Sequence, residues 1–479
     1  MRPHANNILR AAGRALSRVG LVSIVSVLAF SGFGCKGVNE DIASLIQPFE
    51  LNVWRVFDGT DSFRDIIDAY RRANPHITVN YRKLSFEEYE DELLNALAEG
   101  RGPDIMSLHN TWLPAWQTRL LAAPPSLKLS LREVKGTLKK EAVYSVITKP
   151  GPSLQSVKND FVDGVFDDVV LLTPQSDPRL PPVPEVYGLP MALDTLVMYF
   201  NRDLLSNAGI AQPASDWKTF QEHVKLLTRL DETGAIIQSG AAIGGSVNVE
   251  RSFDILSLLM MQNGAQMTDP NSGQAIFDRI PPEMTGRPEP PGAEALTFYT
   301  DFANPEKEVY TWNDLMPGSL QAFVNGQTAY FFGYSYHLNA IRNANEDLNF
   351  GIAAFPQIEG NNPVNYANYW VETVSKLTTH PDEAWDFVMF ATRADNAQSF
   401  LKQTRKPTAL RALVNTQLED LDLSVFASQA PTAKNWYHGT NAQATEKAFL
   451  DMIRQTLSRE AEPKRIVELA ATKVNQTIK

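Results

Sequence analysis

The chain has 479 residues, 43% hydrophobic and 21% charged, a composition that supports a large buried core and argues against long disorder. Its formal net charge is −11, and because the first 34 residues carry four arginines and no acid, the remainder stands at −15. Such a surface repels nucleic-acid backbones and anionic headgroups, and a single cysteine, Cys35, excludes an internal disulfide.

MRPHANNILRAAGRALSRVG is basic, LVSIVSVLAF is a short apolar run, and SGFGC follows. That order predicts a secretory signal peptide over residues 1–34, with an apolar part too short for a comfortable transmembrane span. Cys35 stands where bacterial lipoproteins place the cysteine that is lipidated and becomes the mature N-terminus. The resemblance to a lipobox rests on Gly34 before the cut, with Phe33 bulkier than usual and Gly32 in place of the commoner leucine. Simple cleavage nearby and an uncleaved short anchor are the alternatives. GFGCKG also matches G-x-G-x-x-G, but it follows an export segment rather than a strand and has no phosphate to cradle. Residues 35–47 read as a lipidated tether.

LNVWRVF alternates as a strand, DSFRDIIDAYRRAN carries Phe63, Ile66, Ile67 and Tyr70 at helical spacing, and ITVNYRKL alternates again. Ser85 and Glu88 predict a capping box before a helix whose apolar face is Phe86, Tyr89, Leu93 and Leu97. GRGPDIMSL closes the pattern with a short buried strand. Strand, helix, strand, helix, strand implies parallel pairing with crossovers, and ligands of such sheets sit beyond the carboxyl ends of the strands. Residues 121–187 hold PP, PGP and LPPVP and read as a surface elaboration with a few short elements. YGLPMALDTLVMYFNRDLL resumes strand character, and Asp216 caps a helix with Trp217, Phe220, Val224 and Leu227 on one face. Residues 253–263, 293–303 and 316–325 read as helices, QTAYFFGYS and LNFGIAAFP as strands, and HPDEAWDFVMFAT and about 443–477 as helices.

Four stretches together resemble the family of extracellular solute-binding proteins that includes the maltodextrin and glycerol-phosphate receptors: RGPDIMSL, YGLPMALDTLVMYFNRDLLSNAGI with DWKTFQE, FVNGQTAYFFGYSYHL, and AWDFVMFATRADNAQSF. The resemblance covers about residues 50–479, and the long 121–187 segment departs from it at a place that bears on the mouth of the cleft. It implies an α/β, two-lobed periplasmic-binding-protein-like fold of type II, with a ligand cleft between lobes joined by hinge strands. Carried over, lobe I comprises residues 48–190 and 354–407, lobe II comprises 191–353 and 408–479, and strands near 188–194 and Gly351–Pro356 act as hinges. The same resemblance implies an exported receptor of the periplasm or cell surface that captures a mono- or oligosaccharide by hinge closure and delivers it to the transmembrane subunits of an ABC permease. It also implies no cofactor, a monomer, and contact with the membrane through the lipid anchor alone.

A sugar offers hydroxyls and an apolar CH face, so its site needs fixed polar groups and flat aromatic surfaces. Asp194 matches the polar position after the family's G-L-P; its alternative is a structural bond at a strand end. Asp58, in F-D-G-T-D, follows the first strand and otherwise caps a helix with Asp61. Asn110 and Trp112 follow DIMSL in the same way, and Trp112 covers either a ligand or the inserted segment. Tyr334 and Tyr336 match the family's aromatic turn or pack between strands. Trp370 and Trp436 are stacking candidates, one from each lobe, whereas Trp54 and Trp385 read as core. Glu250 and Asn248, in GGSVNVERSF, are further loop candidates.

No H-E-x-x-H, P-loop or G-x-S-x-G is present, the seven histidines lack ligand spacing, and DGTDS lacks the later acid of a calcium loop, so neither enzyme nor metal site is expected. The rival readings are a glycoside hydrolase using Asp58, Asp194 or Glu250 and a sensory solute receptor.

Overall fold

The computed structural model of the chain describes residues 46–136 and 141–478, so the expected signal peptide and Cys35 lie outside the described residues. The opening strand–helix–strand–helix–strand pattern forms as its periodicity dictates. Strands Phe49–Val56, Ile77–Leu84 and Ile105–His109 pair in parallel. The crossover helix Thr60–Ala73 turns Phe63, Ile66 and Tyr70 inward. The second crossover helix, Phe86–Ala98, buries Tyr89, Leu93 and Ala96 but leaves Phe86 outside the core, against expectation. Ser85 does not close a capping box either; its hydroxyl donates to the Glu88 carboxylate at 3.0 Å instead of capping a backbone amide. Strands Trp370–Val374 and Gly188–Leu189 complete this sheet antiparallel.

A second five-stranded sheet runs in the order Arg229–Leu230, Ile236–Ala241, Thr328–Gly333, Val197–Asn201, Phe350–Ala353. Its central strands are buried throughout because helices cover both faces. The expected helix Trp217–Leu227 buries Trp217, Phe220, Val224 and Leu227, and its N-cap Asp216 accepts the Thr219 amide at 2.9 Å.

Each sheet carries its own core. The first runs through residues 51–193 and 367–433, and the second mainly through 196–366 and 436–474. The chain changes core at 193–196, 366–367 and 433–436, and between 413 and 430 Leu423 and Phe426 also lean on the second sheet, against Val197, Tyr199, Phe323 and Phe331. The three crossing segments, Asp194–Thr195, Asn365–Asn368 and Ala433–Lys434, pair with one another as a separate three-stranded sheet. The first crossing lies within a few residues of the boundary expected from sequence. The second lies beyond Gly351–Pro356, because Phe350–Ala353 pairs inside the second sheet and Phe355 is buried in the second core. After residue 408 the chain touches both cores in turn: Ala409, Leu410 and Leu413 pack into the first, Leu423 and Phe426 against the second sheet, and Ala430 and Ala433 into the first again.

Residues 121–187 hold more regular structure than their prolines suggest. Ser126–Lys135 and Glu141–Pro150 form a two-stranded ribbon ten residues long, followed by helices Leu154–Asp160 and Asp163–Val169 and the paired strands Val170–Thr173 and Val183–Val186.

Candidate functional site

Between the two cores, over the crossing strands, lies a cavity of about 610 Å³ lined from both lobes. Its first wall is aromatic. Phe57 follows strand Phe49–Val56 in a left-handed conformation (φ 67°), which directs a large side chain outward at a backbone cost of about 1–3 kcal/mol. Its ring stacks on that of Phe86, the first residue of its helix, at 5.8 Å and 16°. Trp112 ends the short turn after strand Ile105–His109, and Trp370 opens the strand that pairs with it, directly opposite His109. Antiparallel pairing thus brings the end of one strand and the start of the other to the same edge. Trp370 stands edge-on to Trp112 at 5.4 Å, to Phe57 at 5.7 Å and to Phe86 at 6.2 Å. Phe57 and Phe86 remain 51% and 47% exposed, far too open for core residues, so their faces are free for an apolar partner.

The facing wall is mostly polar. Ser335, Tyr336 and Asn339 project from helix Ser335–Ala344, and Gln443 and Glu446 from helix Ala442–Leu457. Tyr336 is 54% exposed and stacks on Tyr334 behind it at 5.9 Å. Arg251, also left-handed (φ 57°), holds the buried Asp254 through two nitrogens at 2.7 and 3.0 Å, and the Tyr334 hydroxyl donates to the same carboxylate at 2.5 Å.

Charged groups of the first lobe and hinge complete the lining. Lys406 donates to both oxygens of Asp58 at 2.7 Å, and Arg55 bridges Glu372 at 3.0 Å and Asp58 at 3.5 Å. Burial lowers the Lys406 pKa, partly offset by Asp58. Nε and Nη1 of Arg55 and the hydroxyl of Tyr366 have no partner among the described residues. Both residues line the cavity. Asp194, on the first crossing strand, accepts the Thr195 amide at 2.9 Å and both the amide and hydroxyl of Ser335 at 2.9 and 2.6 Å. Desolvation outweighs these donors and pushes its carboxyl up to about 7. Burial likewise pushes His109 down to about 4, so its imidazole is neutral and bridges Thr111 and Asn368.

Of the residues expected in the site, the cavity brings together Asp58, Trp112, Asp194, Tyr336 and Trp370. The other five do not line it. Asn110 is fully buried and donates to Asp168 at 2.9 Å, in a cluster where Tyr369, Asn435 and His438 reach the same carboxylate. Tyr334 is buried behind Tyr336. Trp436 packs among Phe253, Phe277 and Phe449 in the second core. Glu250 lies beside the cavity and accepts from His337 Nε2 at 2.7 Å, the tautomer being set by the Tyr334 amide on Nδ1. Asn248 braces a loop by donating to the carbonyls of Asn313 and Met316.

Sequence reasoning missed Phe57, Phe86, Arg55, Arg251, Asn339, Tyr366 and Glu446. Arg55 was the most findable, since an arginine next to the last residue of a strand, between apolar Val53, Trp54 and Val56, needs a partner at that end. Among the described residues no group of three or more His, Cys, Asp or Glu could hold a metal ion, and no helix is long and apolar enough to cross a membrane.

The sequence profile of bacterial extracellular solute-binding proteins matches residues 58–398. The chain is similar to the galactooligosaccharide-binding protein of Bacillus subtilis, with 20% identity over 386 residues, 80% of this chain and 77% of that protein. Its fold is similar to that of a cyclo/maltodextrin-binding protein solved with maltotetraose: TM-score 0.67, 16% identity, 90% of this chain and 97% of the other covered. It is also similar to that of the cyclic α-maltosyl-1,6-maltose binding protein of Arthrobacter globiformis: TM-score 0.66, 18% identity, 90% and 99% covered.

Proposed function

The chain belongs to the family of bacterial extracellular solute-binding proteins, and from that premise we propose that it captures an oligosaccharide between its lobes and delivers it unchanged to the membrane subunits of an ABC importer. The observation that carries this reading is the pairing of a free aromatic wall with a polar one across a three-stranded hinge. Sugar CH faces stack on the first, and hydroxyls meet Tyr336, Asn339, Gln443, Glu446 and the unpaired nitrogens of Arg55 on closure. Closing the lobes removes water and strengthens each polar contact. The relative from Bacillus subtilis and the two solved neighbours are named for oligosaccharide binding, which supports the same solute class.

The receptor acts as a monomer and catalyses no reaction on its solute. Asp58 is neutralised by Lys406 and Arg55, both oxygens of Asp194 already accept donors, and Glu250 does not line the cavity, so none of the three is placed as a free acid or base. Lipidation of Cys35 holds the exported protein at the membrane.

The test is a thermal-shift screen against linear and cyclic oligosaccharides, with chromatography of the recovered sugar. One class should raise the melting temperature and be recovered intact. Cleavage of the sugar, or no shift with any saccharide, would overturn the reading.

A further inference from the structure

One carboxylate ties both walls of the cleft together. Asp168 lies on helix Asp163–Val169, inside the 121–187 segment, and is fully buried without lining the cavity. Four side chains donate to it, two to each oxygen. Oδ2 accepts from Asn110 Nδ2 at 2.9 Å and from the Tyr369 hydroxyl at 2.6 Å. Oδ1 accepts from His438 Nε2 at 2.9 Å and from Asn435 Nδ2 at 3.3 Å. Burial opposes the charge, yet the bonds from His438, Tyr369 and Asn110 outweigh it and hold the carboxyl below the usual carboxylate range.

The two oxygens serve different walls. Asn110 opens the short turn that ends in Trp112, and its amide donates to the carbonyl of Tyr369, the residue before Trp370. Oδ2 thus fixes the backbone beneath both indoles of the aromatic wall. Asn435 and His438 flank Trp436 and Tyr437, which enter the second core. Asn435 exchanges two bonds with the Tyr437 backbone, and the Tyr437 hydroxyl accepts the amide of Asn441, the N-cap of helix Ala442–Leu457. That helix presents Gln443 and Glu446 to the cavity. Oδ1 thus holds the root of the polar wall.

The helix that delivers Asp168 is seated on the hinge itself. A Cβ on Gly164 would collide with the Ala433 carbonyl of the third crossing strand, so helix and strand meet backbone to backbone. Just before the helix, the Val162 amide donates to the Ala409 carbonyl at 3.0 Å.

We propose that Asp168 is a positioning residue for solute capture, which sets the spacing at which Trp112 and Trp370 face Gln443 and Glu446 without touching the solute itself. The proposal rests on the oligosaccharide reading of the cleft. Walls held in place before binding lose less freedom when the solute arrives, which raises affinity.

The polar-wall half of the cluster carries a titratable partner. Desolvation favours a neutral His438, but Asp168 and Asp167 outweigh it and raise the imidazole pKa above 6.5. The side chain is 36% exposed, so its proton exchanges with solvent. The other titratable groups around the pair are Asp163 and Asp167 on the same helix, Lys434 on the crossing strand, and His109, Tyr366 and Tyr369. As pH rises through the His438 pKa, the bond to Oδ1 loses its charge and the hold on the polar wall weakens.

Saccharide affinity is measured by calorimetric titration from pH 6 to pH 9 on the parent chain, Asp168→Asn, Tyr369→Phe and His438→Gln, with urea unfolding in parallel. Asp168→Asn turns an amide group towards two of the four donors and should weaken binding about tenfold at pH 6. Tyr369→Phe should weaken it about threefold at every pH. His438→Gln keeps a donor without a charge, so it should bind about threefold more weakly than the parent at pH 6 and equally at pH 9. Asp194 and the groups around the pair titrate in both proteins and drop out of that ratio. Variants that lose stability yet bind like the parent while folded, or a ratio that stays flat with pH, overturn the proposal. If Asp168→Asn does not fold, the two single-partner variants decide. A parent that binds no saccharide would count against the solute reading instead. The distance between spin labels on the exposed Glu87 and Val247, in unliganded protein carrying Cys35→Ser, then decides. A broader distribution in Tyr369→Phe and His438→Gln supports the positioning role, and an unchanged width overturns it.

Discussion

The two walls of the cleft are built on opposite plans. The first-lobe wall presents Phe57, Phe86, Trp112 and Trp370 as one contiguous, partly open aromatic surface. The second-lobe wall presents charge, but its strongest charges are already spent on each other: Arg251 holds Asp254, and Tyr334 holds the same carboxylate. One wall is thus poised to bind and the other is poised to stay rigid. Affinity should live mainly on the first, and the second should contribute through shape and through the few groups left free, such as Glu446 and Asn339.

The largest expected effect breaks the rigid wall. Arg251→Met leaves a fully buried Asp254 without its cation and should cost about 3 kcal/mol of stability in urea unfolding. A cost under about 1 kcal/mol would mean that the pair is ornamental and the contrast between walls false. Next, Trp370→Ala removes the ring that touches all the other aromatics of the first wall and should weaken saccharide binding by about 30-fold in calorimetric titration. An unchanged affinity would move the site to the polar wall.

Asp194→Asn sharpens the comparison at the hinge. The native carboxyl titrates at about 7, above its usual 3.8. Between pH 4 and 7 the folded state therefore holds a proton that the unfolded state has lost. This group's contribution to stability is greatest in acid and declines as pH rises to about 7. Asn cannot ionise, so the melting temperature of the variant relative to the native protein should climb from pH 5 to pH 8 and then level off. Any constant loss from altered bonds to Ser335 drops out of that difference, and a flat difference would contradict the assigned titration. The smallest effect is Phe57→Gly, which relieves the left-handed strain while removing an aromatic face. Stability should change by less than about 1 kcal/mol while affinity falls severalfold.

Much of the fold was legible because apolar spacing is local. Trp217, Phe220, Val224 and Leu227 announce their helix, and the alternation in LNVWRVF announces its strand. The crossing points were not, because Phe355 and Leu410 look alike in sequence and differ only in which sheet lies above them. The site divides the same way. Asp58 and Trp112 reach the cavity as the rule that ligands sit beyond the carboxyl ends of strands leads one to expect, whereas Trp370 reaches it from the start of an antiparallel strand. In phase with Tyr89 and Leu93, Phe86 reads as core, yet at the first helical position it lines the cavity instead. Trp436 and Tyr334 erred the other way: aromatic residues near a predicted rim that long-range neighbours bury completely.

The central claim, that the lobes close on an intact solute, is tested most directly by the distance between spin labels placed at Glu87 and Val247 in a Cys35→Ser background, measured with and without an oligosaccharide that raises the melting temperature. Both positions are exposed, one on each lobe. The account predicts a shorter and narrower distance distribution on binding. A stabilising sugar that leaves the distance unchanged would contradict it.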